Sequence, residues 1–255
     1  SVNKIRPGYR DIIFNIIQTK MAMCEWSDYE KFIQEIIKNV NSEKLTNPFT
    51  VLALIDDPEI QKKSSEIYVK DKFFHLNKIP TNKNRNKNLK HKIGYFSADF
   101  KDHATLHLIL DIFKNHDNSK FDFYAFSFGP EKDDKWNIEV KKYFKDFIDI
   151  KNMSDLTVSK LSQEIGIDIA IDLKGFTQDS RPGIFFNRSA PIQINYLGYP
   201  GTMGADFIDY ILADEIIIPK NNQMKFTEKV IYLKNCYQPN MDKREISSKK
   251  FRKSE

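Results

Sequence analysis

From Ile93 to Leu233 short apolar runs alternate with amphipathic stretches, and this alternation constrains the fold more than any other feature of the sequence. Short apolar runs bounded by turn residues read as buried strands, and apolar residues three and four apart read as helices. The spacing predicts strands over Ile93–Ser97, Phe121–Phe128, Phe147–Ile150, Ile167–Leu173, Pro191–Leu197, Asp209–Ala213 and Val230–Leu233. Helices are predicted over Thr105–Phe113, Lys135–Phe144, Leu156–Ile165 and Pro182–Asn187, with Gly166 as a helix stop. Strands joined through helices by short connections imply a parallel sheet covered on both faces. The fold class is therefore α/β, a doubly wound, Rossmann-like lobe.

The chain before Ile93 reads differently. Ser27-Asp28-Tyr29-Glu30 has the spacing of a capping box. It precedes apolar residues at Tyr29, Phe32, Ile33, Ile36, Ile37 and Val40, the one-face pattern of a helix. Asn47-Pro48 breaks that helix, and Asp57-Pro58-Glu59 starts another that runs to His75. The expected organisation is an α-helical cap over 1–76, a basic linker over 77–92, the sheet lobe over 93–240 and a connector over 241–255.

Charge argues against one class of partner. The 40 Lys+Arg outnumber the 35 Asp+Glu by the five basic residues Lys83, Arg85, Lys87, Lys90 and Lys92, which lie in one acid-free stretch. A second basic cluster runs from Lys243 to Lys253. A nucleic-acid binder needs its cations on one face with stacking aromatics. These clusters fall in a linker and a tail, so they read as solvated connectors and no nucleic-acid partner is expected. No apolar stretch approaches the roughly 20 residues that span a bilayer, and Ser1–Arg10 lacks a signal-peptide core. The expectation is a cytoplasmic chain with no membrane partner. Cys24 and Cys236 are expected to be small buried hydrophobes in a reducing compartment.

In a doubly wound sheet the ligand crevice lies outside the carboxyl ends of the strands. Three segments fall there. The first, Ser97 to His107, places His103 near a helix N-terminus, where a neutral imidazole and hence a general base is favoured. His103 and His107 are four apart and would share a helical face; with Asp99 they could hold a metal. There is no H-E-x-x-H pattern and no further ligand, so no metal is expected. The alternative for His107 is a half-buried helix residue. The second segment, Asp172 to Arg181, has Gly175 just past a strand and Arg181 at the next helix start. Asp172 and Lys174 read equally as functional groups at the crevice or as a surface feature, a local ion pair or solvent-exposed side chains. The third, Leu197-Gly-Tyr-Pro-Gly-Thr-Met-Gly204, can press backbone amides against a polar ligand. By spacing alone it is a tight turn, matching neither G-x-G-x-x-G nor the P-loop. That missing dinucleotide fingerprint argues against a nucleotide-cofactor oxidoreductase.

Three motifs carry a resemblance. They are Gly94-Tyr-Phe-Ser-Ala-Asp-Phe-x-x-His-x-Thr-x-His107, then Asp172-Leu-x-Gly-Phe-Thr177, then Ala190-Pro-Ile-Gln-x-x-Tyr-Leu-Gly-Tyr-Pro-Gly-Thr-x-Gly204. In this order they resemble the O-GlcNAc transferase/SPINDLY family of glycosyltransferases. Cys24-Glu-Trp-Ser-Asp-Tyr29 and Asn47-Pro-Phe49 resemble its bacterial branch.

The resemblance implies the N-terminal catalytic lobe of a two-lobed GT-B enzyme, preceded by tetratricopeptide repeats and followed by a C-terminal lobe that this chain lacks. It implies metal-independent, inverting transfer of a sugar from a nucleotide sugar to Ser or Thr hydroxyls of proteins. UDP-GlcNAc is the expected donor, with GDP-fucose and an O-fucosyltransferase as the alternative, and no cofactor. A non-catalytic interaction fragment is the reading from another class. Carried over by motif, His103 and Asp99 are the catalytic residues. Donor or acceptor binding falls on His107, Thr177, Arg181, Leu197, Gly198, Tyr199, Pro200, Gly201 and Thr202. The chain departs from animal members at Phe49, where they carry His, and at Asp102, where they carry Asn.

Overall fold

The computed structural model describes residues 12–75, 90–130, 134–241 and 248–249. Most of the expected basic linker and of the expected connector lies outside these residues.

Among the described residues four helices come first: α1 (Ile12–Ala22), α2 (Tyr29–Asn41), α3 (Pro48–Leu54) and α4 (Pro58–Phe73). Helix α2 follows the expected apolar face, with Ile36 and Val40 fully buried. The capping box does not form. Asp28 is the N-cap and makes no side-chain cap bond, so Ser27 and Glu30 sit one position out of register for reciprocal bonds. The Ser27 amide donates instead to Glu25 (2.9 Å), whose carboxylate pairs with Lys20. Asn47-Pro48 does not break α2, which already stops at Asn41: Asn47 Oδ1 accepts from the Thr50 amide (3.1 Å) and opens α3, a helix the sequence reading missed. Asp57 caps α4 as expected.

Both cysteines are exposed, contrary to expectation. Cys24 sits at φ 56° just past α1, with the Glu25 amide reaching back to the Lys20 carbonyl (2.9 Å) and its own amide to Met21 (3.0 Å). This left-handed helix stop faces solvent and buries no side chain.

The sheet strands are β1 (His91–Ser97), β2 (Phe121–Ser127), β3 (Asp146–Asp149), β4 (Ile169–Asp172), β5 (Ile192–Asn195), β6 (Tyr210–Ala213) and β7 (Lys229–Tyr232). Helices α5 (Ala104–Lys114), α6 (Lys135–Lys141), α7 (Asp155–Ile165) and α8 (Gly183–Phe186) connect the first five. The order is β3-β2-β1-β4-β5-β6-β7, every pair parallel. Strand β1 runs beside β4, with Tyr95 opposite Ile171 and Phe96 opposite Asp172. The chain winds outward in both directions from this pair, so the switch point falls between β1 and β4. Helix α6 stops at Lys141, short of the expected Phe144, because the Lys145 amide joins the Phe123 carbonyl (2.8 Å) and starts β3.

Strand alternation distributes the aromatics onto two cores. Phe96 stacks on Phe126 (centroids 4.3 Å apart) on one face, and Tyr95 packs against Phe113 and Phe123 on the other. Each such buried aromatic contributes roughly 2 kcal/mol or more of transfer free energy. The α4 side of the cap joins the first core: Tyr68 packs on Phe176, and Phe73 on Phe186 and Phe207. Gly204 completes this seam at φ 59°, where a Cβ would lie 2.5 Å from the Glu66 amide nitrogen of α4. Among the described residues no helix is long and apolar enough to cross a membrane.

Candidate functional site

The first polar turn leaves β1 at Ser97, whose Oγ accepts from the Asp99 amide (3.0 Å). The Asp99 carbonyl accepts from Lys101 (2.8 Å), which turns the chain into α5. His103 is the N-cap of α5, at φ −154° and ψ 148°, and its Nδ1 accepts from the Thr105 amide (3.2 Å). Being outside the helix, it does not share a helical face with His107. The His107 Nε2 donates to Asp102 (2.7 Å), and its ring stands edge-on to Trp136 (4.4 Å). Among the described residues no group of three His, Cys, Asp or Glu is placed to hold a metal ion.

Asp99 is buried and does not stand alone. Its Oδ2 accepts from the Lys174 ammonium at 2.7 Å and lies 3.5 Å from His103 Nδ1. Side-chain exposures of 7% and 6% make Lys174–Asp99 a buried pair, formed because β1 and β4 are neighbours. The expected alternatives for Lys174, a local partner or solvent, are both overturned. Asp172 does something else: its Oδ1 accepts the Lys174 amide (2.8 Å) at the carboxyl end of β4. Burial pushes its carboxyl up to about 7, against the opposing effect of the Lys174 and Gly175 amides.

The second and third turns are wedged together. A Cβ at Gly198 would meet the Leu173 carbonyl oxygen at 2.1 Å, and one at Gly175 would meet Tyr199 Cβ at 2.3 Å. Asn195, ending β5, donates its Nδ2 to the Tyr199 carbonyl (2.9 Å) and holds the loop closed. Leu197 takes φ 71°, and its carbonyl accepts from the Tyr237 hydroxyl. A left-handed leucine costs of the order of 1–2 kcal/mol and persists only where its surroundings hold it. Nothing local in the sequence marks Tyr237, some forty residues away, for this task.

The turns thus form one continuous rim: His103 to Asp99, Asp99 to Lys174, Gly175 to Tyr199, and Leu173 to Gly198. Several residues carried over by motif are engaged in building it. Tyr199 is 1% exposed, and its ring lies against Phe176 and Phe49. Thr202 Oγ donates to buried Glu228 (2.7 Å), which also accepts the Met203 amide; burial raises the Glu228 carboxyl. Gly201 is buried behind them and offers its carbonyl to Asn195 (3.3 Å). Thr177 Oγ donates to the Lys174 carbonyl (2.9 Å) and closes that turn. Gly198 and Pro200 keep partial exposure on the rim.

Arg181 is not brought to the rim. Its guanidinium donates to Asp155 (2.8 Å) and to the carbonyls of Ile150 (2.9 Å) and Met153 (2.6 Å), and lies 5.7 Å from the Phe128 ring. It braces the β3–α7 connection. Beyond Asp99, at the carboxyl ends of β1 to β3, a cavity of about 330 Å³ opens, lined by Ala98, Lys101, Ser127, Asn137, Lys141 and Asp149 among others.

A seven-stranded parallel lobe, with polar turns joined along the carboxyl edge at its switch point, has the architecture of one lobe of a GT-B glycosyltransferase. The sequence profile of glycosyl transferase family 41 matches residues 23–247, and the chain belongs to this family. A probable UDP-N-acetylglucosamine–peptide N-acetylglucosaminyltransferase, SEC, from Arabidopsis thaliana is 29% identical over 240 residues, covering 87% of this chain and 24% of its own length. The UDP-N-acetylglucosamine–peptide N-acetylglucosaminyltransferase of Caenorhabditis elegans is 27% identical, covering 84% of this chain and 20% of its own. The chain therefore spans about a quarter or less of these curated relatives. Among solved structures, the K341M mutant of Thermobaculum terrenum O-GlcNAc transferase shares the fold, with a TM-score of 0.70 at 21% identity over 82% of this chain and 42% of that one.

Proposed function

We propose that this chain is the N-terminal catalytic lobe of a cytoplasmic protein O-glycosyltransferase that moves GlcNAc from UDP-GlcNAc to Ser or Thr hydroxyls. On this reading the rest of a longer polypeptide supplies the second lobe, which closes the crevice over the donor, and helical repeats that gather protein acceptors. The acceptor oxygen attacks the anomeric carbon, the bond to the diphosphate breaks, the hydroxyl proton passes to the departing diphosphate, and configuration inverts without a metal. Such a step depends on holding the hydroxyl in line and on dipoles arranged before the reaction begins.

The observation that supports this most is His103, fixed at the N-cap of α5 beside a buried Asp99–Lys174 pair and still 41% exposed at the crevice. His103 and Asp99 are read as the catalytic pair, with Gly198 and Pro200 as the wall against the donor sugar.

The test is sugar transfer by the complete polypeptide, offered a panel of nucleotide sugars with a chelator present. UDP-GlcNAc is expected to give the fastest nucleotide release, and His103→Ala to lower transfer by about two orders of magnitude or more with an unchanged circular dichroism spectrum. Preference for GDP-fucose would move the assignment to an O-fucosyltransferase. Wild-type turnover by the His103→Ala protein would remove His103 from the mechanism.

A further inference from the structure

We propose that Lys174 is a positioning residue for His103: by holding the Asp99 carboxylate it decides which ring nitrogen carries the proton, so that the imidazole meets the crevice as a hydrogen-bond donor. The inference deepens the reading of His103 as the group at the transfer site, and rests on it for its functional meaning.

A neutral imidazole has one donor nitrogen and one acceptor nitrogen. Two neighbours compete over Nδ1 of His103. The Thr105 amide donates to it at 3.2 Å, which requires that nitrogen to be bare. Asp99 Oδ2, 3.5 Å away, would draw a proton onto it. Where a carboxylate wins this competition, as in hydrolase triads, Nδ1 carries the proton and Nε2 is left bare to act as a base.

Here the oxygen that faces the ring is the oxygen that Lys174 occupies. The ammonium lies 2.7 Å from Asp99 Oδ2, with both side chains under a tenth exposed. A charge-assisted bond between buried partners is strong and short, and it neutralises the carboxylate's pull on its other neighbour. The helix amide is left as the partner of Nδ1, and the proton resides on Nε2. On the proposed reaction, His103 then orients an oxygen through Nε2–H, and the hydroxyl proton passes to the departing diphosphate. Lys174 acts on the crevice only through Asp99 and touches no reactant.

The experiment is nitrogen NMR of the complete protein labelled at histidine, in mildly alkaline buffer, with His103→Gln identifying the resonances. Wild type is expected to show a bare Nδ1 and a protonated Nε2. In Lys174→Gln and Lys174→Met, Asp99 is released, and most of the ring population is expected to move to the Nδ1–H form as the Thr105 amide loses its acceptor. The double variant Asp99→Asn/Lys174→Met, which has neither charge, is expected to return to Nε2–H. A destabilised scaffold would blur both nitrogens in every variant and would show no such return. An Nδ1–H ring in wild type, or unchanged tautomers in whichever Lys174 variant folds, would overturn the proposal. If wild type transfers no sugar while the tautomers behave as described, the transfer reading fails and the role of Lys174 stands.

Discussion

Tyr199 fills the space that any side chain at residue 175 would need. A Cβ on Gly175 would lie 2.3 Å from Tyr199 Cβ, and the glycine sits at φ 54°. Gly175→Ala therefore combines a clash between two backbone-anchored atoms with left-handed strain. We expect it to destabilise the chain by about 3 kcal/mol or more in denaturant unfolding. Gly166→Ala is the control: it has φ 80°, but its nearest neighbour is the end of Lys92 at 4.0 Å. There only strain acts, and about 1 kcal/mol is expected.

Asp172 makes stability fall as pH rises. Burial lifts its carboxyl to about 7 in the folded chain, whereas an unfolded aspartate titrates near ~3.9. A raised group contributes stability that is complete below the unfolded value and lost as pH climbs through the folded one. Asp172→Asn keeps an acceptor for the Lys174 amide and has nothing to ionise. Its stability between pH ~4 and ~8 should vary less than that of wild type, and above neutrality it should be the more stable protein in urea titrations.

His116 works in the opposite direction. Its ring stacks 3.5 Å from Phe123, its Nε2 meets the Tyr95 hydroxyl (3.2 Å), and burial lowers it to about 4. An unfolded histidine takes up its proton near ~6.5, so the folded state loses ground as pH falls from there toward the folded value. His116→Phe keeps the stack without a titrating group. We expect its melting temperature to drop less than that of wild type between those two pH values.

Arg181 separates the motif from the molecule. Its three donor contacts hold Asp155 and the carbonyls of Ile150 and Met153. Arg181→Met leaves those acceptors unpaired, and we expect a loss of roughly 1–3 kcal/mol. In a transfer assay below its melting point, the KM for nucleotide sugar should match wild type. A raised KM at unchanged stability would return Arg181 to the crevice.

The strands could be read from the chain because β1, β2 and β4 are buried on both faces and their apolar runs need no partner to be recognised. Helix α3 was missed although Asn47-Pro48 carries the same cap-and-proline signal as Asp57-Pro58. A proline after Asn or Asp is compatible both with the stop of a preceding helix and with the first position of the next. The Lys174–Asp99 pair was illegible for a different reason: its members are 75 residues apart, and only the strand order makes them neighbours. Tyr199 looked like part of a glycine-rich binding loop. It is buried because α4 and the Phe176 turn close over it, with Ser65 facing its hydroxyl at 3.5 Å, and nothing within the loop announces that.

The glycine at 204 has a mechanical consequence. Its backbone lies flush against that of α4, and aromatic rings of the helix and the lobe interleave on either side. A methyl group added at that one position would have to push the helix off the sheet, so the two halves of the seam are keyed together by an atom that is missing.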